Sequence, residues 1–154
     1  MPNQCEYPVS VSLVAPRRLL AARDRLTIPE LPIRIPALLH RVYEAAAGRK
    51  VLDGQNVVLY GGSLPVLDVT AGVGLTGPFE PSGGLVLVET PAGEAAHAVH
   101  WGAYAGLSRA HQAVMAWCAA NHRRLAGPSW EVYGHWSDDP ATLRTDVYWL
   151  LLPA

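Results

Sequence analysis

A carboxylate sits in aromatic company in the run Trp130-Glu131-Val132-Tyr133-Gly134-His135-Trp136. Aromatic faces attract cations, each contact contributing about 0.5–2 kcal/mol. A desolvated acid adds a counter-charge once its partner is present. Together these groups suit a flat, hydrophobic, cationic organic molecule. A second run, Thr145-Asp146-Val147-Tyr148-Trp149, again pairs an acid with a phenol. Alternate side chains of a strand share a face, so Glu131, Tyr133 and His135 fall together, as do Asp146, Tyr148 and Leu150. The opposite sets are more apolar and should pack under helices. If the two strands pair as a hairpin, Glu131, Tyr133, Asp146 and Tyr148 are expected to face one space. The alternative is a sheet face open to water, where Tyr, Glu and Asp are routine. Two neighbouring acids also repel unless one is protonated or a cation lies between them.

The elements that must position these residues alternate between strand and helix patterns. Residues 8–14 and 18–27 read as strands on either side of Pro16. Three prolines in the stretch 28–36 predict an extended entry, with Pro36 in the first turn of a helix. Ile35, Leu38, Leu39, Val42 and Ala46 form its apolar stripe, and Gly48 ends it. Strands follow at 56–62 and 65–75 around a Gly61-Gly62-Ser63 turn, then a linker over 76–84. The pattern then repeats: strands at 85–90 and 94–101 around Pro91-Ala92-Gly93, a helix over about 106–122 with Leu107, Ala110, Val114 and Trp117 on one stripe, and strands at 130–136 and 144–152. Short matches link the halves. Val58-Leu59-Tyr60 precedes Glu131-Val132-Tyr133 by 73 positions, and Asp68-Val69 precedes Asp146-Val147 by 78. An internal duplication is expected: one α+β domain of two βαββ halves, about 5–76 and 84–152. The halves would share a curved antiparallel sheet about a pseudo-twofold axis, with two helices on one face. Tyr60 and Asp68 would then be the first half's equivalents of the aromatic-plus-acid patch.

The bulk numbers fit this reading. The chain has 154 residues, half of them hydrophobic, and a net charge of −1. It is core-forming, and its charge carries no electrostatic footprint for nucleic acid or an anionic membrane. No apolar run approaches the length of a membrane span, about 18 residues, and no secretion signal is visible. A cytoplasmic protein with reduced Cys5 and Cys118 is expected, Cys118 in the core. No cofactor or metal is expected. His97 and His100 are three apart and point to opposite faces of a strand, and His111 and His122 are three helical turns apart. No nucleophile elbow marks a Ser-His-Asp enzyme, and Gly83-Gly84 reads as linker.

Residues 100–151 resemble the second half of the GyrI-like small-molecule-binding domain, related to the effector-binding domains of bacterial multidrug-responsive transcription regulators. The resemblance rests on His100-Trp101-Gly102-Ala103-Tyr104, Gly127-Pro128, Glu131-Val132-Tyr133, Asp139-Pro140 and Thr145-Asp146-Val147-Tyr148. It departs from the family pattern at Ala103 and Leu150, where proline is usual, and at Asp146, where the usual acid is Glu. The resemblance implies a tandem βαββ fold and a cleft at the pseudo-twofold axis for hydrophobic, often cationic compounds. It makes Glu131 the buried acid of that cleft. Tyr133, Asp146, Tyr148, Tyr60, Asp68, His135, Trp101 and Tyr104 complete the expected ligand-facing set. No helix-turn-helix precedes these elements, so a regulator would need another polypeptide; the oligomeric state is not legible.

Two rival functions remain open. Some GyrI-like proteins resemble hydrolases of reactive cyclopropane-bearing natural products, for which Glu131 with Tyr133 or Tyr148 would activate water. A protein-binding role, such as inhibition of a DNA topoisomerase, would use an exposed patch, for which Ser137-Asp138-Asp139-Pro140 is the candidate.

Overall fold

The computed structural model describes residues 7–154; Cys5 lies outside them. The elements in chain order are β1 (Ser10–Val14), β2 (Arg18–Leu26), α1 (Leu31–Ala45), β3 (Leu52–Ser63), β4 (Val66–Leu75), β5 (Val86–Glu89), β6 (Gly93–Trp101), α2 (Leu107–Ala120), β7 (Leu125–Tyr133) and β8 (Arg144–Leu151). The fold is α+β, with eight antiparallel strands and two helices among the described residues. Neither helix is long and apolar enough to cross a membrane.

The chain divides into two compact units, Pro16–Thr90 and Pro91–Ala154, the latter joined by the N-terminal segment through Ala15. In the first, the strands lie in the order β3-β4-β2-β5. In the second, the order is β1-β6-β8-β7. Each unit is thus a βαββ run plus one added strand beside its first strand, and the strand orders correspond. The added strands are exchanged in sequence. β1 pairs with β6, Ser10 opposite His97, and β5 pairs with β2, Leu19 opposite Val88. The hairpin expected between 85–90 and 94–101 does not form, because the two strands belong to different units.

Helix α1 begins earlier than the prolines predicted. A 3-10 turn over Ile28–Glu30 leads into it, and the Thr27 N–H donates to Glu30 Oε1 at 2.9 Å. Pro32 lies at the start of the helix, where its missing N–H would have been unpaired anyway. Only Pro36 stands inside and removes a helical bond. Leu38 and Val42 carry its buried stripe. The following hairpin turns at Leu64-Pro65, joined by a cis peptide, and leaves Gly61-Gly62-Ser63 in strand β3.

In the second unit, α2 buries Leu107, Ala110, Val114 and Cys118 against Ala96, Ala98, Val147 and Leu151, with Tyr133 and Trp149 packed alongside. This is an amphipathic stripe on one sheet face. Cys118 is in the core as expected, and burial pushes its thiol pKa up. Strand β7 is displaced from its expected span. Gly127 and Pro128 lie within it rather than in a turn, its register with β8 shifts between Leu125 and Ser129, and it ends at Tyr133.

Candidate functional site

The register of β7 and β8 decides which residues meet. Glu131 lies opposite Val147 and Tyr133 opposite Thr145, while Trp130 lies opposite Tyr148 and Val132 opposite Asp146. Directly opposed residues project from the same face of an antiparallel pair. Glu131 and Tyr133 therefore share the face of Thr145, Val147 and Trp149, beneath α2. Asp146 and Tyr148 share the other face with Trp130. The expectation that the two acids and two tyrosines face one space is corrected: the register differs by one residue from the assumed one, and a one-residue change moves a whole side-chain set to the opposite face.

The face beneath α2 carries a directed polar network. Glu131 is 4 % exposed. His111 of α2 places Nε2 at 2.7 Å from Glu131 Oε2, and the Tyr133 hydroxyl donates to Oε1 at 2.6 Å. The Trp149 indole N–H donates to His111 Nδ1 at 3.0 Å. Farther along the same face, His100 is buried, its Nε2 donating to the Ala103 carbonyl at 2.8 Å and its Nδ1 accepting from Tyr7 at 2.8 Å. Thr145 lies between His100 and Tyr133 in the strand ladders and is fully buried. Gly106, just before α2, permits this packing, since a Cβ there would stand 2.9 Å from His100 Cε1 and 3.2 Å from Arg109 Nη2.

From this network an aromatic series runs outward. Tyr104, in a 3-10 turn before α2, meets Tyr133 edge-on at 5.3 Å between centroids and lies 6.4 Å from Trp136. Exposure rises along it, to 40 % at Tyr104 and 71 % at Trp136. Burial still raises the Tyr104 pKa. The arrangement is a buried carboxylate with oriented hydrogen-bond donors, lined on one side by rings that reach solvent.

The opposite face holds a different cluster. His97 Nε2 donates to Asp146 Oδ2 at 2.7 Å, and Arg144 donates to both Asp146 oxygens at 2.8 and 3.2 Å. Burial pushes the Asp146 pKa up, but hydrogen bonds from His97 and Arg144 outweigh it and bring the carboxyl down to about 2. The rings of His97, Tyr148 and Trp130 stack across three strands, at 4.5 and 5.2 Å. Burial, then the Asp146 charge, raises the Tyr148 pKa. Arg144 also lies over the Trp101 ring at 5.7 Å. Asp146 is thus engaged by Arg144 and His97 of its own unit.

The remaining expected residues are dispersed. His135 is exposed and beyond the end of β7. Tyr60, half-buried, lies opposite Val69, whereas Asp68 lies opposite Gly61 and Arg25, so the two are on opposite faces of their own sheet. Asp68 forms an exposed ion pair with Arg25 at 3.3 Å. Among the described residues, no group of three or more His, Cys, Asp or Glu is placed to hold a metal. The sequence reading missed His111, Trp149 and Trp136 as members of the Glu131 cluster. His111 sits four residues after Leu107 and three before Val114, so it flanks the buried stripe, and that position was the available signal.

No curated protein matches the sequence. Solved structures match its fold. The C-terminal domain of EcmrR superposes with a TM-score of 0.77 at 17 % identity, over 96 % of this chain and 99 % of that one. SAV2435, solved bound to tetraphenylphosphonium, superposes at 0.65 and 10 % identity, over 94 % of each chain. A hydrolase from Listeria innocua superposes at 0.58 and 11 % identity, over 94 % of this chain and 91 % of that one. The model of the GyrI-like small-molecule-binding domain matches residues 8–152, and the chain belongs to that family.

Proposed function

We propose that the chain binds hydrophobic organic cations, with Glu131 as counter-charge and Tyr133, Tyr104 and Trp136 as aromatic wall. One observation carries the reading: a carboxylate 4 % exposed, with hydrogen-bond donors on both oxygens, beside rings that lead to the surface. An apolar site with a few directed polar groups is the usual form of a small-molecule pocket. The fold shared with SAV2435, whose solved complex holds an aromatic phosphonium cation, supports the same ligand class. Asp146 and Tyr148 are assigned to the structure of the opposite face rather than to this site.

Titration with tetraphenylphosphonium, followed by tryptophan quenching, tests the proposal. Saturable micromolar binding is expected. Glu131→Gln should weaken it about tenfold or more, which is the loss of at least 1.4 kcal/mol. Equal binding by both proteins removes Glu131 from the role. A hydrolytic reading draws on the same geometry, because an acid held by Tyr133 and His111 is placed to orient a water. Turnover of an electrophilic cyclopropane by wild type and not by Glu131→Gln would select it.

A further inference from the structure

Thr145 of β8 is fully buried, and its hydroxyl oxygen has no hydrogen-bond partner among the described residues. Arg123 Nε is also buried without a partner, but that guanidinium donates to Glu94 Oε1 through Nη2 at 3.1 Å. A threonine side chain has a single polar heavy atom, so Thr145 leaves its whole hydrogen-bonding capacity unused. Burying a hydroxyl without a bond costs stability. Valine has nearly the same shape and is as well suited to a strand. Packing and strand preference therefore do not call for a hydroxyl at this position.

Its place in the site does. Thr145 lies directly opposite Tyr133 on one side and His100 on the other, on the face beneath α2. Opposed side chains stand about 5 Å apart at Cβ, and diagonal ones, as with Glu131, roughly 7–8 Å. His100 turns its nitrogens to Tyr7 and to the Ala103 carbonyl, and the Tyr133 hydroxyl donates to Glu131. Tyr104, between Gly102 and Gly106, is the exposed ring beside this row, and it meets Tyr133 edge-on. We infer that Thr145 is a specificity-determining residue whose hydroxyl exchanges a hydrogen bond with a hydroxyl-bearing arm of the ligand, reached when the Tyr104 ring moves aside from Tyr133. A hydroxyl both donates and accepts, so it matches Thr145 in either role. The site then favours organic cations that carry such an arm over all-hydrocarbon ones. The assignment rests on the reading that the ligand packs against Tyr104 and Tyr133. It does not depend on the charge of Glu131 or His111, or on what else those residues and Tyr133 bond.

Two cations of equal charge and nearly equal size provide the test. Butyltriphenylphosphonium and hydroxypropyltriphenylphosphonium differ only by a terminal methyl against a terminal hydroxyl. Calorimetry on the full chain reads both affinities. Thr145→Val should weaken the hydroxypropyl cation about three- to tenfold, the loss of one hydrogen bond, and leave the butyl cation within about twofold. Thr145→Ser, which keeps the hydroxyl, should keep the wild-type preference. Without ligand, Thr145→Val should hold or raise the urea midpoint, because no bond within the protein is lost. A lowered midpoint, or a Thr145→Val chain that does not fold, shows the hydroxyl bonded within the protein and overturns the inference. Equal losses for both cations, or no loss for either, overturn it as well, while wild-type binding that Glu131→Gln weakens leaves the functional reading standing. If wild type binds neither cation, the functional reading fails and the Thr145 contact fails with it.

Discussion

Two carboxylates in adjacent strands sit among different neighbours. Asp146 is met by the Arg144 guanidinium and by His97, and its charge is spent within the unit. Glu131 is held by a phenol and by an imidazole whose other nitrogen accepts from an indole. The Asp146 pKa gives a pH dependence of known sign. A carboxyl lowered from 3.8 to about 2 by folding stabilises the native state above its unfolded value, and that contribution disappears as pH falls through about 2. Allowing for the half-exposed Arg144 partner, the contribution is about 1–2 kcal/mol. Urea denaturation should therefore show wild type more stable than Asp146→Asn at pH 6, with the gap closing toward pH 2. A gap independent of pH would mean that the ion pairs contribute nothing. At this scale the sequence was partly legible. Glu131 and Tyr133 were recognisable as chemistry, but which groups meet each acid depended on partners far apart in the chain, 49 positions for His97 and Asp146.

Elements were legible where a period runs long enough to be counted. The stripe of α2 was readable because Leu107, Ala110 and Val114 recur at helical spacing. Val114 is fully buried, and Met115, the next residue, is 37 % exposed. Val114→Ala should cost about 2 kcal/mol by opening a cavity, and Met115→Ala should stay within about 0.5 kcal/mol. Equal effects in chemical denaturation would show that the assigned face of α2 is wrong. What resisted reading was strand register. Residues 134–143 separate β7 from β8, and a loop of that length does not fix whether Glu131 opposes Asp146 or Val147. Alternation gives two faces within each strand, but only pairing matches the faces of one strand to those of the next. The prolines before α1 misled for a local reason, because a proline-rich entry is compatible with both an extended segment and a first helical turn.

For the whole molecule, recurring short segments led to the expectation of two related halves, and the strand orders of the two units correspond, β5-β2-β4-β3 in one and β1-β6-β8-β7 in the other, although the units divide at Pro16 and Pro91 rather than at the expected bounds. The exchange of β1 and β5 was not visible, because neither strand's own residues specify which sheet edge it completes. The clustering of Tyr104, His111, Glu131, Tyr133, Trp136 and Trp149 follows from that architecture: β7 and β8 set the carboxylate under α2, and the turn before α2 brings Tyr104 to Tyr133. The most direct test of the account is a crystal structure of the chain saturated with tetraphenylphosphonium. The phosphorus centre should lie within roughly 6 Å of the Glu131 carboxylate, close enough for an unscreened charge contact. A saturating cation seated against Asp146 and Tyr148, with Glu131 undisturbed on the other side of the sheet, would contradict it.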